Sequence, residues 1–131
     1  MKKKNLHTPV IKQYLDIKAK HLDSFLFFRM GDFYELFFND AVEASKLLGL
    51  TLTKRGKSAG KDVPLAGVPV HSSSNYIKKL LNFGKKVSIC EQIEDSTQSK
   101  DIVKREVIKV LTPGTIIDEE FIDDPKEFEI F

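Results

Sequence analysis

Phe28-Arg29-Met30-Gly31-Asp32-Phe33-Tyr34-Glu35-Leu36-Phe37 is the stretch of this 131-residue chain that decides the fold. Gly31-Asp32 is a turn signal between two apolar, aromatic-rich runs, Phe25 to Met30 and Phe33 to Phe38. The segment therefore predicts two tightly joined strands. Side chains alternate across a strand, so Tyr34, Leu36 and Phe38 are expected on one face and Phe33, Glu35 and Phe37 on the other. The first set is wholly apolar and belongs to a core. The second places a carboxylate between two aromatic rings, which argues against full burial. Phe33 then stands at the turn end of a partly open face, with Glu35 roughly 7 Å further along it.

Working outward, strands and helices alternate. Thr8 before Pro9 reads as an N-cap followed by proline at the first helical position. Val10, Ile11, Tyr14, Leu15 and Ile17 give a helical apolar stripe to about His21. Asp40-Ala41-Val42-Glu43 fits a capping box opening a helix that runs to Leu48 and stops at Gly49. Leu50 to Thr53 reads as a short strand, Lys54 to Asp62 as a polar loop, and Val63 to Val68 as another strand. Ser72 or Ser73 caps a helix carrying Tyr76, Ile77, Leu80 and Leu81, ended by Gly84. Val87 to Gln92 is a strand, Glu94 to Asp101 a loop, and Val103 to Leu111 a last strand. The fold class is α/β in the α+β sense: a mixed sheet of about six strands flanked by about three helices.

The length suits one domain with a hydrophobic core. The lone cysteine, Cys90, lies in an apolar run and reads as a buried, inert thiol. Lys2-Lys3-Lys4 is followed by polar residues instead of a signal sequence, and no apolar run approaches membrane-spanning length. A cytoplasmic location with no membrane contact is expected. The net charge of +2 hides an asymmetry. Residues 118–131 hold seven acidic side chains and only Lys126 as a base, for a net −6, whereas residues 1–117 hold 20 basic and 12 acidic, for a net +8. The sequence thus divides into a basic body, residues 1–117, and an acidic tail or linker, residues 118–131. A basic body suits a polyanionic partner, because displacing counterions from phosphates is favourable.

The chain resembles the amino-terminal domain of the MutS family of DNA mismatch-repair proteins over residues 8 to about 117. The resemblance is carried by Thr8-Pro9, Arg29 to Phe37, Leu52-Thr53-Lys54-Arg55-Gly56, Ala66-Gly67-Val68-Pro69 with His71, Ile89-Cys90-Glu91-Gln92, and Thr112-Pro113-Gly114-Thr115, in family order. Its Phe-x-Glu motif falls on Phe33 and Glu35. The resemblance implies that Phe33 wedges beside a mispaired base while Glu35 hydrogen-bonds a base. A ring and a nearby carboxyl can probe one base step together, since wedging costs less where pairing is already weak. A carboxyl desolvated beside phosphates is expected to hold a proton and to donate it to a purine acceptor. Without the resemblance, Glu35 would read as a solvated strand residue or a partner for Arg29.

The resemblance also carries DNA backbone or groove contacts onto Lys54, Arg55, Gln92, Arg105 and Thr112, and a lining role beside the wedge onto Met30. Leu65 stands where the family commonly has methionine. Glu94-Asp95-Ser96 replaces a common Gly-Asp-Pro, so contacts are not carried over to Ser99 or Lys100. The implied partners are duplex DNA with mispairs or small loops, the remaining domains of a longer dimeric protein, and a MutL-type protein. No cofactor is expected in this chain, and no enzyme activity. ATP and Mg²⁺ would belong to a separate ATPase domain. A bacterial-type protein working near the nucleoid is implied.

Other readings fare less well. Gly56-Lys57-Ser58 imitates the end of a phosphate-binding loop, but that motif needs glycine where Thr51 stands. His7, His21 and His71 are scattered, with no zinc-ligand spacing and no base paired with Cys90. A small metal-dependent nuclease is the enzymatic alternative, yet Glu106 and Lys109 are spaced Glu-x-x-Lys instead of Glu-x-Lys. A protein-interaction module remains open on composition.

Overall fold

In the computed structural model, residues 8–58, 61–94 and 102–113 are described, with only the backbone given for residues 55–58. Along the chain run α1 (Pro9–Lys18), β1 (Ser24–Met30), β2 (Phe33–Phe37), α2 (Phe38–Leu48), β3 (Thr53–Ser58), β4 (Lys61–Pro69), α3 (Ser73–Asn82), β5 (Lys86–Gln92) and β6 (Arg105–Leu111). A short 3-10 turn, Val70–Ser72, leads into α3. The six strands form one sheet in the order β3-β4-β2-β1-β5-β6. Among the described residues, β1 and β5 pair in parallel and the other pairs are antiparallel. The mixed six-stranded, three-helix architecture read from the sequence is the one observed.

Period-two alternation sorts the side chains onto two faces of the sheet. Phe27, Tyr34, Leu36, Ala66, Val68 and Ile89 join Ala41, Ala44, Ile77 and Leu80 of α2 and α3 in one core. On the opposite face, Leu26, Phe28, Phe37, Leu65 and Cys90 meet Ile11 and Tyr14 of α1. A ten-residue helix spans only about 15 Å, so α1 covers part of that face.

Several local expectations need correcting. Phe37 is 5% exposed instead of open, because the Tyr14 ring packs on it at 4.8 Å. Phe38 leaves the strand altogether: its φ of +54° turns the chain into α2. An aromatic residue at positive φ is uncommon. Here it stacks against Tyr14 at 6.0 Å. Asp40 caps nothing. α2 has no side-chain cap, and the Asp40 carboxylate instead accepts from Lys18 Nζ at 3.0 Å and Leu26 N at 3.0 Å. Tertiary partners have outbid the local motif. The helix opened by Thr8 stops at Lys18, short of His21, while Thr8 Oγ1 does accept from Ile11 N as an N-cap should.

The expected strand at Leu50–Thr53 and loop at Lys54–Asp62 are also revised. Thr53–Ser58 and Lys61–Pro69 form a hairpin, with a register shift between Lys54 and Lys57. β3 is an edge strand whose described side chains, Thr53 and Lys54, are exposed, so its polar sequence carries no period-two signal. Cys90 is fully buried, and burial pushes its thiol up to about 12. Among the described residues, no helix is long and apolar enough to cross a membrane.

Candidate nucleic-acid interface

The β1–β2 turn is braced from three sides. Gly31 takes φ +64°, which its lack of a Cβ permits. Its N–H donates to Gln92 Oε1 at 2.9 Å, and its carbonyl accepts from Arg29 Nε at 2.5 Å. Asp32 O accepts from Val70 N at 2.9 Å. Arg29 is itself anchored, since Nη1 donates to Glu91 Oε1 at 2.8 Å. The Tyr34 hydroxyl donates to Glu91 Oε2, and the Arg29 guanidinium lies over the Tyr34 ring. Burial, then the neighbouring Glu91 carboxylate, raises the Tyr34 phenol well above its usual range, and Arg29 opposes this. Such charges stay buried only when paired and hydrogen-bonded. These contacts hold the turn in one arrangement.

Phe33 opens β2 at the end of this turn. It is paired with Met30 on one side and Pro69 on the other, and is 43% exposed. Two residues on, Glu35 is half-buried and lies across from Phe28 and Gly67. Exposure therefore falls along the face, from Phe33 through Glu35 to buried Phe37. Met30, Glu35 and Leu65 line both an open groove shared with Phe33, Thr53 and Gly67, and a smaller hollow of about 140 Å³ under α1. Arg29, a partner considered for Glu35 from the sequence, is committed to Glu91 instead.

The other residues singled out from the sequence separate. Gln92 and Arg105 face each other across β5 and β6 at the turn end of the sheet. Their polar groups serve the protein: Gln92 holds Gly31, while Arg105 donates to Arg29 O at 2.7 Å and Gln13 Oε1 at 2.7 Å. Arg105 also lies over the Phe28 ring at 4.7 Å, and burial lowers its guanidinium below its ordinary value. Lys54 is exposed on β3 opposite Pro64, toward the end of β4 away from Pro69. Thr112 follows Leu111, which pairs with Val87 at the opposite end of the sheet from the turn. It does not join Phe33. The Arg55 side chain, Ser99, Lys100 and the acidic tail from Asp118 lie outside the described residues. Of the loop expected at Glu94–Asp101, only Glu94 is described, and it accepts from Lys104 N at 2.9 Å.

Among the described residues, no three His, Cys, Asp or Glu side chains come together so as to hold a metal ion. Glu106, the carboxylate of the nuclease alternative, is exposed on the outermost strand. The sequence reading missed the Glu91 brace. A carboxylate in the apolar run Val87-Ser88-Ile89-Cys90-Glu91 was the available signal, since a charge there demands a partner.

The fold and this rim define a class of small sheet domain that displays an aromatic ring and a carboxylate beside a braced turn. The chain belongs to the MutS domain I family, whose model matches residues 8–120. It is 54% identical over 121 residues to the DNA mismatch repair protein MutS of Bartonella quintana (strain Toulouse), covering 88% of this chain and 13% of that protein. The DNA mismatch repair protein MutS of Wolbachia pipientis wMel is 52% identical over 126 residues, covering 92% of this chain and 15% of that protein. The chain thus spans about one seventh of the relatives it matches.

Proposed function

We propose that this chain is the DNA mismatch-recognition domain of a repair protein, in which Phe33 wedges at a mispair and Glu35 hydrogen-bonds a base. The observation that carries this reading is the pair itself: a phenyl ring left 43% exposed at the sheet rim, with a half-buried carboxylate next along the same face. Inserting a ring between base steps costs a few kcal/mol of stacking. That cost falls where pairing is defective or the duplex bends easily, so one ring finds many mispairs without reading a sequence. Family membership supports the reading, as do the relatives' names.

On this reading Met30 and Leu65 line the floor beside the wedge, and Lys54 and Arg55 meet backbone phosphates. Gln92 and Arg105 act chiefly by bracing the turn. The longer protein would be a dimer that couples mismatch binding to ATP and Mg²⁺ in a separate domain and recruits a MutL-type partner. This chain itself contributes binding.

Fluorescence anisotropy of the 131-residue chain against matched and mismatched duplexes at two salt concentrations tests the reading. Weak, salt-sensitive binding with a small preference for the mismatch is expected. Phe33→Ala should remove that preference while changing stability by less than about 1 kcal/mol, the usual range for an exposed side chain. Salt-insensitive binding, or an unchanged preference in Phe33→Ala, would refute it.

A further inference from the structure

Gly67 lies directly across the β2–β4 ladder from Glu35. A Cβ at that position would sit 2.9 Å from Glu35 Oε1, 3.3 Å from Oε2 and 3.3 Å from Phe33 Cδ2. Both side chains of the rim pair therefore converge over one residue that has none. Backbone freedom does not explain this glycine, because the positive-φ glycines are Gly31, Gly49 and Gly84. Glycine within a strand also weakens it. What Gly67 supplies is space.

We propose that Gly67 is a positioning residue for mismatch recognition: its bare backbone is the seat on which the Glu35 carboxylate lies and against which the Phe33 ring edge rests. The inference deepens the function proposed above and rests on it. A carbon 2.9 Å from a carboxylate oxygen must be relieved, and the question is which part yields. β4 is held against β2 through five residue pairs from Phe33↔Pro69 to Phe37↔Leu65, so the ladder resists. The far end of the Glu35 side chain turns about several single bonds, so the carboxylate moves instead. Hydrogen bonds weaken steeply with distance and angle. A displaced carboxylate therefore loses its base partner while the sheet stays intact. Alanine also loses less chain entropy than glycine on folding, which offsets part of the strain.

The test uses the 131-residue chain, ¹³C-labelled and free of DNA, as wild type, Gly67→Ala, Glu35→Ala and the double variant. Gly67→Ala should move the Glu35 carboxyl carbon resonance and the Phe33 ring signals, while the melting temperature stays within a few degrees of wild type. The ratio of affinities for mismatched over matched duplex should fall to about one, the value for binding through phosphates alone. Glu35→Ala should do the same, and adding Gly67→Ala to it should change nothing more, as expected of residues acting through one contact. If Gly67→Ala folds poorly, the double variant, which lacks the colliding carboxylate, should recover the wild-type melting temperature. An unmoved Glu35 resonance overturns the proposal. So does a wild-type affinity ratio in Gly67→Ala when Glu35→Ala has lost it, or a double variant that stays unfolded. A wild-type ratio of one overturns the recognition reading instead, and the carboxyl resonance then decides alone whether Gly67 seats Glu35.

Discussion

On the proposed reading Glu35 would be a carboxylate facing phosphates, and its hydrogen-bonding role would depend on which form meets the base. In the proposed complex, an acid held between a phenyl ring and a duplex would be desolvated beside negative charge, a setting that favours a neutral carboxyl. A neutral carboxyl donates a hydrogen bond, and so does an amide. Glu35→Gln should therefore keep mismatch binding within about threefold of wild type, less than about 1 kcal/mol. Anisotropy with a mismatched duplex measures this, and a much larger loss would show that the ionised acid is the working form. The shared face of Phe33 and Glu35 was legible from alternation and a turn signal. Pattern alone, however, favours a core Phe33 and a solvated Glu35, and only the family resemblance pointed to a site. The burial of Phe37 was not legible, because the ring that buries it comes from Tyr14, on a helix 23 residues away. Cys90 gives a second prediction at this scale. Its thiol moves from 9.0 up to about 12 through burial. A group whose proton is held more tightly in the folded state leaves stability intact below its unfolded value and erodes it above. Denaturation midpoints should therefore fall as pH rises from about 9 toward 12, and Cys90→Ala should flatten the onset of that fall. Tyr14 and Tyr34, both raised by burial, contribute the same sign at higher pH.

Between elements, the β1–β2 turn depends on side chains of β5. Glu91 on β5 holds Arg29 and Tyr34, and Arg29 in turn holds the Gly31 carbonyl at the turn. Removing one partner of a buried ion pair typically costs about 3–5 kcal/mol, because the other charge is left uncompensated. Glu91→Ala should therefore destabilise the fold by an amount of that order in chemical denaturation. It should also speed amide exchange at Gly31 and weaken mismatch preference, although position 91 meets no DNA in the proposed mode. A variant that lost stability while keeping the wild-type preference would show that the brace is structural only. This element-scale wiring marks where sequence reading stops. Strand and helix positions followed from periodicity, and Gly49 and Gly84 ended helices as expected, with φ of +74° and +83°. Asp40, in contrast, matched a local capping pattern while serving Lys18 and Leu26. Pattern rules see neighbours three or four residues apart, whereas these partners lie 14 and 22 residues away. Most of β3 escaped notice for a different reason: it is a polar edge strand with no apolar alternation, whereas Val63 to Val68 of β4 was legible as a strand.

For the whole molecule, charge is arranged in series with the fold. The body, residues 1–117, carries a net +8 and residues 118–131 a net −6. Each phosphate neutralised by a lysine or arginine releases condensed counterions, giving a salt slope of about 0.9 per contact on duplex DNA. An acidic segment tethered to the basic body competes with phosphates for the same cations, and at low salt its effect reaches across roughly 10 Å or more. Truncation after Ile117 raises the net charge from +2 to +8. Affinity for matched duplex should rise as a result, most strongly at low salt, and the salt slope should steepen. The ratio of mismatched to matched binding should not change if, as proposed, it is set at Phe33 and Glu35 and the acidic residues act only through long-range charge. Anisotropy of the truncated and complete chains on both duplexes, at two salt concentrations, separates the two effects. A truncation that weakened binding, or altered the ratio, would place residues 118–131 in recognition itself and move the boundary of the functional unit beyond residue 117.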